Sequence, residues 1–478
     1  MDPPNVLLVI LDSARARNCS LHGHDNETTP FLSEFADDAV TFEQARAPSV
    51  HSISSHASIF TGYHTEEHDV TEHKSFVRPE TTVWHRIAAE HGYETGLFTP
   101  NVIVAQTSNL ADVFDTCVGP KRAKFRLFDD ALAPLDVQGR LSPKEYAREA
   151  LGHDKPIRSL LNGVYKKLES RGGSHDPTSE GGDVYVDEFL SWVDERSGPW
   201  AACLNLMDSH TPFEPDPEYD NWSDDAAERA RERVHDDEVP EPFTDAFWDH
   251  LAALEPLYDG TIRQADAAVE RLVEAMDERG LLDETTVVVT SDHGEGFGER
   301  TELDTDVRLR HHSWGIDEVL THVPLLVRSP GGDGGRTVEA PASLTRFPDV
   351  VDATIEGDDP ADAFVPEGDV LSSTFRIKPP GNELSLPEPE REPYFGPWRA
   401  VYRETEDGVV KYARRGDDAI ELGVPDAQRT VRRADSDGGV VAEAFDALEP
   451  QGVRLGSAAG RDVEDDVEDR LADLGYLR

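Results

Sequence analysis

The chain has 478 residues, of which 96 are acidic and 46 basic, so its formal net charge is -50 at pH 7. This length can bury a large core, and we expect one large domain with a smaller appendage. The charge makes nucleic acid and anionic membranes poor partners for the general surface. Because apolar periodic segments persist along the whole chain, we interpret the acidity as an adaptation of a folded protein to high salt, where self-repulsion is screened.

The cysteines and the apolar segments indicate the cellular compartment of the protein. The three cysteines, Cys19, Cys117 and Cys203, are too few and too scattered for a disulfide framework or a zinc knuckle. The N-terminal apolar run is too short, and its flanks are too acidic, for a signal peptide. No stretch approaches the roughly 20 apolar residues that span a bilayer. These features predict a soluble cytoplasmic protein with no membrane partner.

The first predicted element is an apolar, β-branched strand from Asn5 to Leu11, which ends in the carboxylate of Asp12. A lone Asp after a strand is most often a turn residue or a helix cap. If this strand runs parallel to another that also ends in metal-binding side chains, Asp12 emerges beside them at one sheet edge, where open α/β folds place their sites.

The segment from Ala45 to His68 carries many hydroxyls and histidines, and its apolar run from Ala57 to Phe60 predicts a helix. A serine just before a helix is usually an N-cap. The N–H groups and the dipole of a helix N-terminus also favour an anion. A serine hydroxyl on a divalent metal there would ionise more easily and could attack phosphorus or sulfur.

Two later strands end in polar side chains. His91 to Val102 predicts a strand that delivers Asn101 near the sheet edge, either as a substrate hydrogen-bond donor or as a turn residue. Pro199 to Met207 predicts a buried strand, followed by Asp208 and His210. Between them, residues 118–183 lose clear alternation, which predicts an insertion that could form a lid.

A clear amphipathic helix, Tyr258 to Gly280, leads into the most informative strand. Thr286 to Thr290 is β-branched without interruption, which predicts a strand buried on both faces of a largely parallel sheet. It ends in Asp292 and His293, a pair that can hold a divalent metal. Two strands that deliver Asp and Asp-His to one edge favour a metal site.

Beyond Pro330 a helix and a Pro-rich linker are followed by short alternating strands with Asp-Gly turns at 394–423, which predict a small antiparallel sheet. The predicted fold is therefore α/β, a doubly wound and mostly parallel sheet flanked by helices, with a small C-terminal α+β subdomain. We predict a catalytic domain at 1–385 and the subdomain at 386–478.

Five stretches, in order, carry a resemblance to a known family: VILDSARA, APSVHSISSHASIFTG, MDSHTPF, VVVTSDHGEGFG and HHSWGIDEVLTHVPLLV. Together they resemble the sulfatase branch of the alkaline phosphatase superfamily over about the first 330 residues. The resemblance implies a doubly wound domain, a metal at the sheet edge and a nucleophile on the segment around Ser52. Ser52 aligns where sulfatases carry the residue that matures to formylglycine.

Three departures favour phosphodiesterase, phosphonate hydrolase or phosphotransferase members over arylsulfatases. The formylglycine motif has Pro and Arg after the nucleophile, whereas this chain reads Ser52-Ile53-Ser54-Ser55-His56, so we expect an unmodified serine. Asp12 is followed by Ser13 where sulfatases often carry a second Asp. The family's Gly-Lys-x-His motif is replaced by Thr99-Pro100-Asn101-Val102.

The implied site contains one divalent cation held by four side chains, Asp12, Ser52, Asp292 and His293. The mixed carboxylate–imidazole set suits Mn, Zn or Mg, whereas Ca prefers oxygen ligands alone. Ser52 would form a covalent ester, with His210 and His312 stabilising the transferred group or protonating the leaving group. His56, Asn101 and His311 are the expected substrate-binding side chains.

Several alternatives stay open at this point. Asp208, His210 and His312 could bind a second cation, as in two-metal phosphodiesterases. The substrate is a sulfate or phosphate ester of a small molecule or saccharide, and the oligomeric state is open. A non-catalytic relative that binds anions or polysaccharides is the rival from another class, and its signature would be loss of a metal-binding or nucleophilic residue.

Overall fold

The computed structural model describes residues 3–73, 75–120, 181–235, 238–375 and 392–455, with scattered positions between 131 and 162. Its centre is an eight-stranded sheet. In spatial order the strands are Arg336–Val338, Val40–Phe42, Leu325–Arg328, Thr285–Thr290, Asn5–Leu11, Trp200–Leu206, Glu94–Phe98 and Thr116–Val118.

The first strand lies in the middle of this sheet and fixes its register. It pairs in parallel with Thr285–Thr290 on one side, where Ile10 lies opposite Thr290, and with Trp200–Leu206 on the other. Leu325–Arg328 runs antiparallel to both of its neighbours, so the sheet is mixed but mostly parallel. The predicted fold class is confirmed, and so is the parallel pairing of the two strands that end in carboxylates.

Both faces of the sheet are covered by helices because the central strands are apolar on both sides. Val6, Leu8 and Ile10 pack with one helical layer, while the alternate residues of the same strand pack with the other. The described helices are Pro30–Phe35, Ser52–Thr61, Thr65–His68, Val83–His91, Gly182–Asp194, Asp225–His235, Asp245–Ala252, Glu255–Glu278, Glu318–Thr321, Phe347–Glu356 and Gly439–Asp446. No helix in the described ranges has the length and apolarity to cross a bilayer.

The helix that carries Ser52 begins at that residue rather than at Ala57, where the apolar run of the sequence starts. Ile53, Ala57 and Phe60 face the core beneath it. The polar residues between them are buried as well, so hydrophobic periodicity alone could not locate the first turn of this helix.

A second sheet of five antiparallel strands packs beside the first domain. Its strands, in order, are Val370–Thr374, Trp398–Thr405, Gly408–Arg415, Asp418–Asp426 and Arg429–Asp435. Alternate side chains of its middle strands form a core with Trp314 and Leu320 of the main domain. Two-stranded pairs complete the described structure: Phe297–Arg300 with Arg308–Arg310, Ala45–Arg46 with Ala342–Ser343, and Phe76–Val77 with Arg454–Leu455.

The predicted domain boundaries relate to this architecture in two ways. The boundary near residue 385 lies within 376–391, outside the described residues, and the five-stranded sheet takes its first strand from Val370–Thr374, ahead of that boundary. Most of the insertion predicted at 118–183 lies outside the described residues too, so the insertion and its lid remain predictions.

Candidate active site

Two neighbouring strands end at the same edge of the large sheet, and their next residues meet there. Asp12 follows the first strand, and Asp292 and His293 follow Thr285–Thr290. The three side chains are fully buried, and one ligand atom from each lies within 4.8 Å of the others. Among the described residues no other group of three such side chains meets this geometry. Parallel register therefore brings together ligands that are 280 positions apart in sequence.

Ser52 lies beside this trio at the first turn of its helix. Its Oγ is 3.2 Å from His293 Nε2, and the side chain is buried. The helix is fixed to the metal-binding loop by Ser55, whose hydroxyl donates to the carbonyl of Asp292 over 2.6 Å. The first turn of the helix is therefore held beside the metal-binding trio, and a helix N-terminus favours a bound anion.

His293 is oriented for a ligand at its Nε2. Its Nδ1 lies 2.9 Å from the carbonyl of Gly294, so Nδ1 carries the proton and donates it. Nε2 then keeps its lone pair, and it lies 3.4 Å from Asp292 Oδ2. A backbone carbonyl on the outer nitrogen is a usual partner of a metal-binding histidine.

Gly294 is required by close approach of two chain segments. A Cβ at this position would collide with the carbonyl oxygen of Val319 and lie 2.9 Å from Arg15 Cβ. The Gly294 N–H donates to the carbonyl of Leu320 over 2.8 Å, which holds the metal-binding loop against the short helix Glu318–Thr321.

The two carboxylates have different surroundings. Asp12 accepts hydrogen bonds at Oδ2 from the amides of Asn101 and Asn205, at 2.9 and 3.1 Å, and at Oδ1 from the hydroxyl of Ser13. Asp292 Oδ1 accepts from the backbone N–H of Ser13 and of His293. Asp292 Oδ2 has no hydrogen-bond partner among the described residues. One buried carboxylate oxygen therefore faces the centre of the trio uncompensated.

The electrostatics of the pair favour a cation in this position. Burial and the charge of Asp12 raise the pKa of Asp292 to about 8. Burial alone would also raise the pKa of Asp12, but His210 and His293 hold it below its usual value. Two buried carboxylates in contact with imidazoles, amides and hydroxyls lack a balancing charge, and a divalent metal would supply it. The donor set of two carboxylates, one imidazole and one hydroxyl fits such an ion.

His210 and His312 line the same space. The ring of His312 lies 4.4 Å from that of His293 and 5.3 Å from that of His210, measured between centroids. His210 Nδ1 lies 2.7 Å from its neighbour's carbonyl at Thr211, so its proton is on Nδ1. Burial lowers the pKa of all three imidazoles, because it disfavours their charged form.

The three residues expected to bind substrate each have different contacts near the trio. Asn101 binds Asp12 through its amide, and its Oδ1 accepts from two backbone N–H groups, so it orients a carboxylate. His56 is a buried residue of the helix that begins at Ser52, and its Nδ1 lies 2.9 Å from the carbonyl of Ser52 and 3.5 Å from Asp292 Oδ2. His311 lies against Phe213 and Glu295, so His312 is the member of the pair that adjoins His293.

The residues expected to bind a second cation are not assembled in this structure. Asp208 accepts hydrogen bonds from the N–H of Gly182 and from the side-chain amide of Gln264. Its ligand atoms form no group with His210 and His312 that meets the geometry of the first trio.

Sequence reasoning missed three residues of the site. Ser13 has a left-handed backbone with φ of 67°, which lets both its N–H and its hydroxyl reach the carboxylates. Asn205 binds Asp12 from within a buried strand, and a single amide in that apolar run was a readable signal. Glu295 is a fully buried carboxylate beside His312.

Comparison with known proteins agrees with this architecture. A family model described as Sulfatase matches residues 4–354. Human iduronate 2-sulfatase is 24% identical over 356 residues, which cover 69% of this chain and 60% of that protein. Bovine arylsulfatase K is 22% identical over 423 residues, covering 83% of this chain and 69% of the relative. The chain thus spans about 60% of the length of the iduronate 2-sulfatase that it matches.

Solved structures share the fold at low sequence identity. The phosphonate monoester hydrolase of Agrobacterium radiobacter superposes with a TM-score of 0.58 and 19% identity, covering 99% of this chain and 94% of that chain. BT1596, a 2-O GAG sulfatase, gives a TM-score of 0.53 and 14% identity, covering 90% and 87%.

Proposed function

The chain belongs to the sulfatase family, and on that premise we propose that it hydrolyses sulfate or phosphate esters through a covalent intermediate on Ser52. The observation that carries the proposal is the 3.2 Å distance between Ser52 Oγ and His293 Nε2, beside the carboxylates of Asp12 and Asp292. A nucleophile next to an uncompensated anionic cluster at a helix N-terminus is the arrangement that metal-assisted ester hydrolysis requires.

The cation would be held by Asp12, Asp292, His293 and Ser52. A bound divalent ion lowers the pKa of a hydroxyl ligand and neutralises negative charge on a transferred sulfuryl or phosphoryl group. The chain itself contributes the orientation of these ligands. Asn101 and Asn205 fix Asp12, and the carbonyl of Gly294 fixes the tautomer of His293.

In the first step Ser52 Oγ bonds to sulfur or phosphorus, and the bond to the departing alcohol oxygen breaks with its electron pair on that oxygen. The Ser52 proton passes to the departing oxygen by way of an imidazole. His210 and His312, whose rings lie 5.3 Å apart, are the imidazoles placed for this transfer. Water then cleaves the Ser52 ester and restores the hydroxyl.

The identity of the ester is the open choice within this proposal. Relatives named as sulfatases favour sulfate esters. The absence of Pro and Arg after Ser52 favours an unmodified serine, and a serine nucleophile suits phosphate or phosphonate esters as well. A single cation is proposed for either ester, since Asp208 forms no metal-binding group with His210 and His312 among the described residues.

The test combines metal analysis, substrate screening and mass measurement. The purified protein is analysed for bound metals in molar KCl, because a formal charge of -50 calls for screening. Aryl sulfates, phosphate monoesters, phosphate diesters and phosphonate monoesters are then assayed with Mn, Zn, Mg or Ca. We expect about one divalent ion per chain, and we expect Ser52→Ala to lower kcat by about 10⁴- to 10⁶-fold on the preferred ester.

Three results would contradict the proposal. One is the absence of turnover on every ester class with any of the four metals, as expected of a non-catalytic anion-binding relative. Another is retention of activity in Ser52→Ala. The third is a Ser52 peptide whose mass shows formylglycine, which would replace the serine ester by a different intermediate.

A further inference from the structure

The metal-binding loop continues into a carboxylate, Glu295, that the chemistry above does not use. Its side chain is fully buried. The backbone is held at both ends: the Glu295 N–H donates to the carbonyl of Val319 over 3.1 Å, and its own carbonyl accepts from the Arg15 guanidinium over 3.0 Å. A buried acid on a rigid segment is costly unless its partners are fixed.

Each carboxylate oxygen of Glu295 has a distinct partner. Oε1 accepts from the N–H of Gly296 over 3.0 Å and lies 3.4 Å from His311 Nδ1. Oε2 lies 3.2 Å from His312 Nδ1. Two imidazoles therefore approach the carboxylate from the same hairpin, and one of them, His312, adjoins the reacting centre.

The hairpin is built to bring these imidazoles onto Glu295. Strands Phe297–Arg300 and Arg308–Arg310 pair antiparallel, and the N–H of His311 donates to the carbonyl of Gly296. A Cβ on Gly296 would lie 2.7 Å from the carbonyl oxygen of His311, so only glycine permits this approach. His311 itself has a left-handed backbone with φ of 46°, which turns the chain toward His312.

This contact fixes which ring nitrogen of His312 carries the proton. An ionised carboxylate only accepts hydrogen bonds, so His312 must donate from Nδ1. Oε1 of Glu295 accepts from the N–H of Gly296, and Oε2 lies within hydrogen-bond distance of His312 Nδ1, so each carboxylate oxygen has its own donor. In neutral His312 the lone pair then belongs to Nε2, the nitrogen on the side of the ring away from Glu295.

We propose that Glu295 is a positioning residue that holds His312 in its Nδ1–H tautomer, so that Nε2 accepts the proton of the water that cleaves the Ser52 ester. The inference rests on the proposed function and adds to it one general base and the residue that orients this base.

The step balances within the site. An O–H bond of water breaks, its proton goes to His312 Nε2, and its oxygen bonds to sulfur or phosphorus. The bond from that atom to Ser52 Oγ breaks with its electron pair on Oγ. The imidazolium of His312, stabilised by Glu295, then returns the proton to Oγ, which restores the hydroxyl and neutral His312.

The isosteric change Glu295→Gln tests the inference because the amide can fit only one way. The N–H of Gly296 retains the oxygen of the introduced amide, so the NH₂ group of that amide would face His312 Nδ1. That arrangement requires an unprotonated Nδ1 and moves the His312 proton to Nε2. The general base loses its lone pair while the metal ligands stay in place.

The kinetic result expected for Glu295→Gln is a split between two parameters. With a nitrophenyl ester the leaving group needs no proton, and His210, whose Nδ1 bonds the carbonyl of Thr211, still accepts the proton of Ser52. The first step, reported by kcat/KM, should therefore change less than about threefold. Hydrolysis of the Ser52 ester should slow, so that kcat falls by about 10²- to 10³-fold. A burst of nitrophenol and a covalent ester on the Ser52 peptide, detected by mass, should accompany it.

Asp266→Asn is the matched control for loss of a buried carboxylate. Asp266 accepts from the N–H groups of Phe31 and Leu32 at a distant helix start. This variant should be less stable but show no burst. Equal metal content in wild type and Glu295→Gln, and matching thermal unfolding, would separate a positioning role from a general loss of structure.

A second measurement needs no turnover. In protein labelled with nitrogen-15 at its 18 histidines, the ring signals of His312 are assigned by their loss in His312→Gln. We expect a protonated Nδ1 in wild type and a protonated Nε2 in Glu295→Gln. A wild-type His312 with its proton on Nε2, or a tautomer unaffected by the substitution, would overturn the inference.

The outcomes separate the two proposals. If wild type hydrolyses an ester and Glu295→Gln shows neither burst nor loss of kcat, only the positioning role is wrong. Parallel loss of kcat and kcat/KM with loss of metal would also overturn it, because Glu295 would then merely support the metal loop. If wild type hydrolyses no ester, the proposed function fails and the tautomer measurement alone decides what Glu295 does to His312.

Discussion

Two clusters centred on acidic side chains adjoin the short helix Glu318–Thr321, and they are neutralised in different ways. The metal-binding cluster contains Asp12 and Asp292, whose contacts are imidazoles, amides, hydroxyls and backbone N–H groups. One oxygen of Asp292 has no hydrogen-bond partner among the described residues, and the pKa of this acid is raised to about 8 by burial and by Asp12.

The second cluster surrounds Glu318, and here the chain supplies its own cations. Arg46 approaches Glu318 Oε2 at 2.8 Å, and Lys411 of the five-stranded sheet approaches Oε1 at 2.9 Å. Both cations are buried, and Arg46 also stacks on Tyr402. Burial would raise the pKa of Glu318, but Arg46 and Lys411 hold it well below its usual value.

The difference separates a binding site from a structural joint. Where Arg and Lys neutralise a buried acid, the cluster is complete without a ligand and links two sheets. Where two acids are contacted by imidazoles, amides, hydroxyls and backbone N–H groups, the charge balance is left for a ligand that binds. The joint also supports the site, because the carbonyls of Val319 and Leu320, which follow Glu318 in the chain, accept the N–H groups of Glu295 and Gly294.

The variant Asp292→Asn tests the contrast between the two clusters most directly. We expect this variant to lose the divalent ion and to fall to the activity of Ser52→Ala, because one ligand and half of the negative charge are gone. Without metal, however, it should be more stable than wild type by about 1–3 kcal/mol, since no carboxylate oxygen is left buried without a partner. The new amide could donate to His293 Nε2, 3.4 Å away.

Metal content by elemental analysis and urea unfolding with excess chelator measure the two effects. Asp266→Asn again provides the control, because it removes a buried acid that caps a helix and should only destabilise. A metal-free Asp292→Asn protein that unfolds at lower urea than wild type would show that the pair is internally balanced, and the contrast between the clusters would disappear.

The opposite response is expected from Glu318→Gln. Arg46 and Lys411 would be left buried without an anion, so the free energy of unfolding should fall by about 3–5 kcal/mol. Urea unfolding of the metal-free protein measures it. The exposed pair Arg432–Asp435 is the control, and Asp435→Asn should cause no measurable change because solvent screens it. An unchanged free energy of unfolding in Glu318→Gln would mean that water already solvates these cations.

These clusters also show how far the sequence could predict the molecule. The strands and the trio of Asp12, Asp292 and His293 were predictable because uninterrupted β-branched runs end in those residues, and parallel strands share an edge. The roles of Lys411 and Arg46 were not predictable, since each is one cation among many until the fold buries it beside Glu318.

The same limit applies to details within the site. The contact of Asn101 with Asp12 was not predictable, because strand order decides which side chain Asn101 meets, and its contact with substrate stays a prediction. The left-handed backbone of Ser13 has no signature in residue type, since left-handed conformations favour Gly or Asn. Partners at long sequence separation and single backbone angles are properties of the folded chain.

The smallest predicted effect concerns the pH dependence of the joint. Burial, and then Arg46, lower the pKa of His322 to about 4, so this imidazole is neutral in the folded protein. An unfolded histidine has a pKa near 6.5, so the folded state loses stability as pH falls from about 6.5 toward 4, by up to about 3 kcal/mol. Above pH 6.5 the group contributes no pH dependence.

His322→Gln should remove this component, and the gap in unfolding free energy between wild type and variant should therefore close, or reverse, between pH 7 and pH 4. Nε2 of His322 donates to the carbonyl of Glu43 over 2.8 Å, a bond that a glutamine amide can replace. Protonation of His322 could instead be favoured by Glu318, 3.5 Å from Nδ1. Arg46 and Lys411 already neutralise that acid, so a protonated His322 gains little from it. If the difference in unfolding free energy between wild type and His322→Gln widens on acidification, Glu318 still carries unbalanced charge.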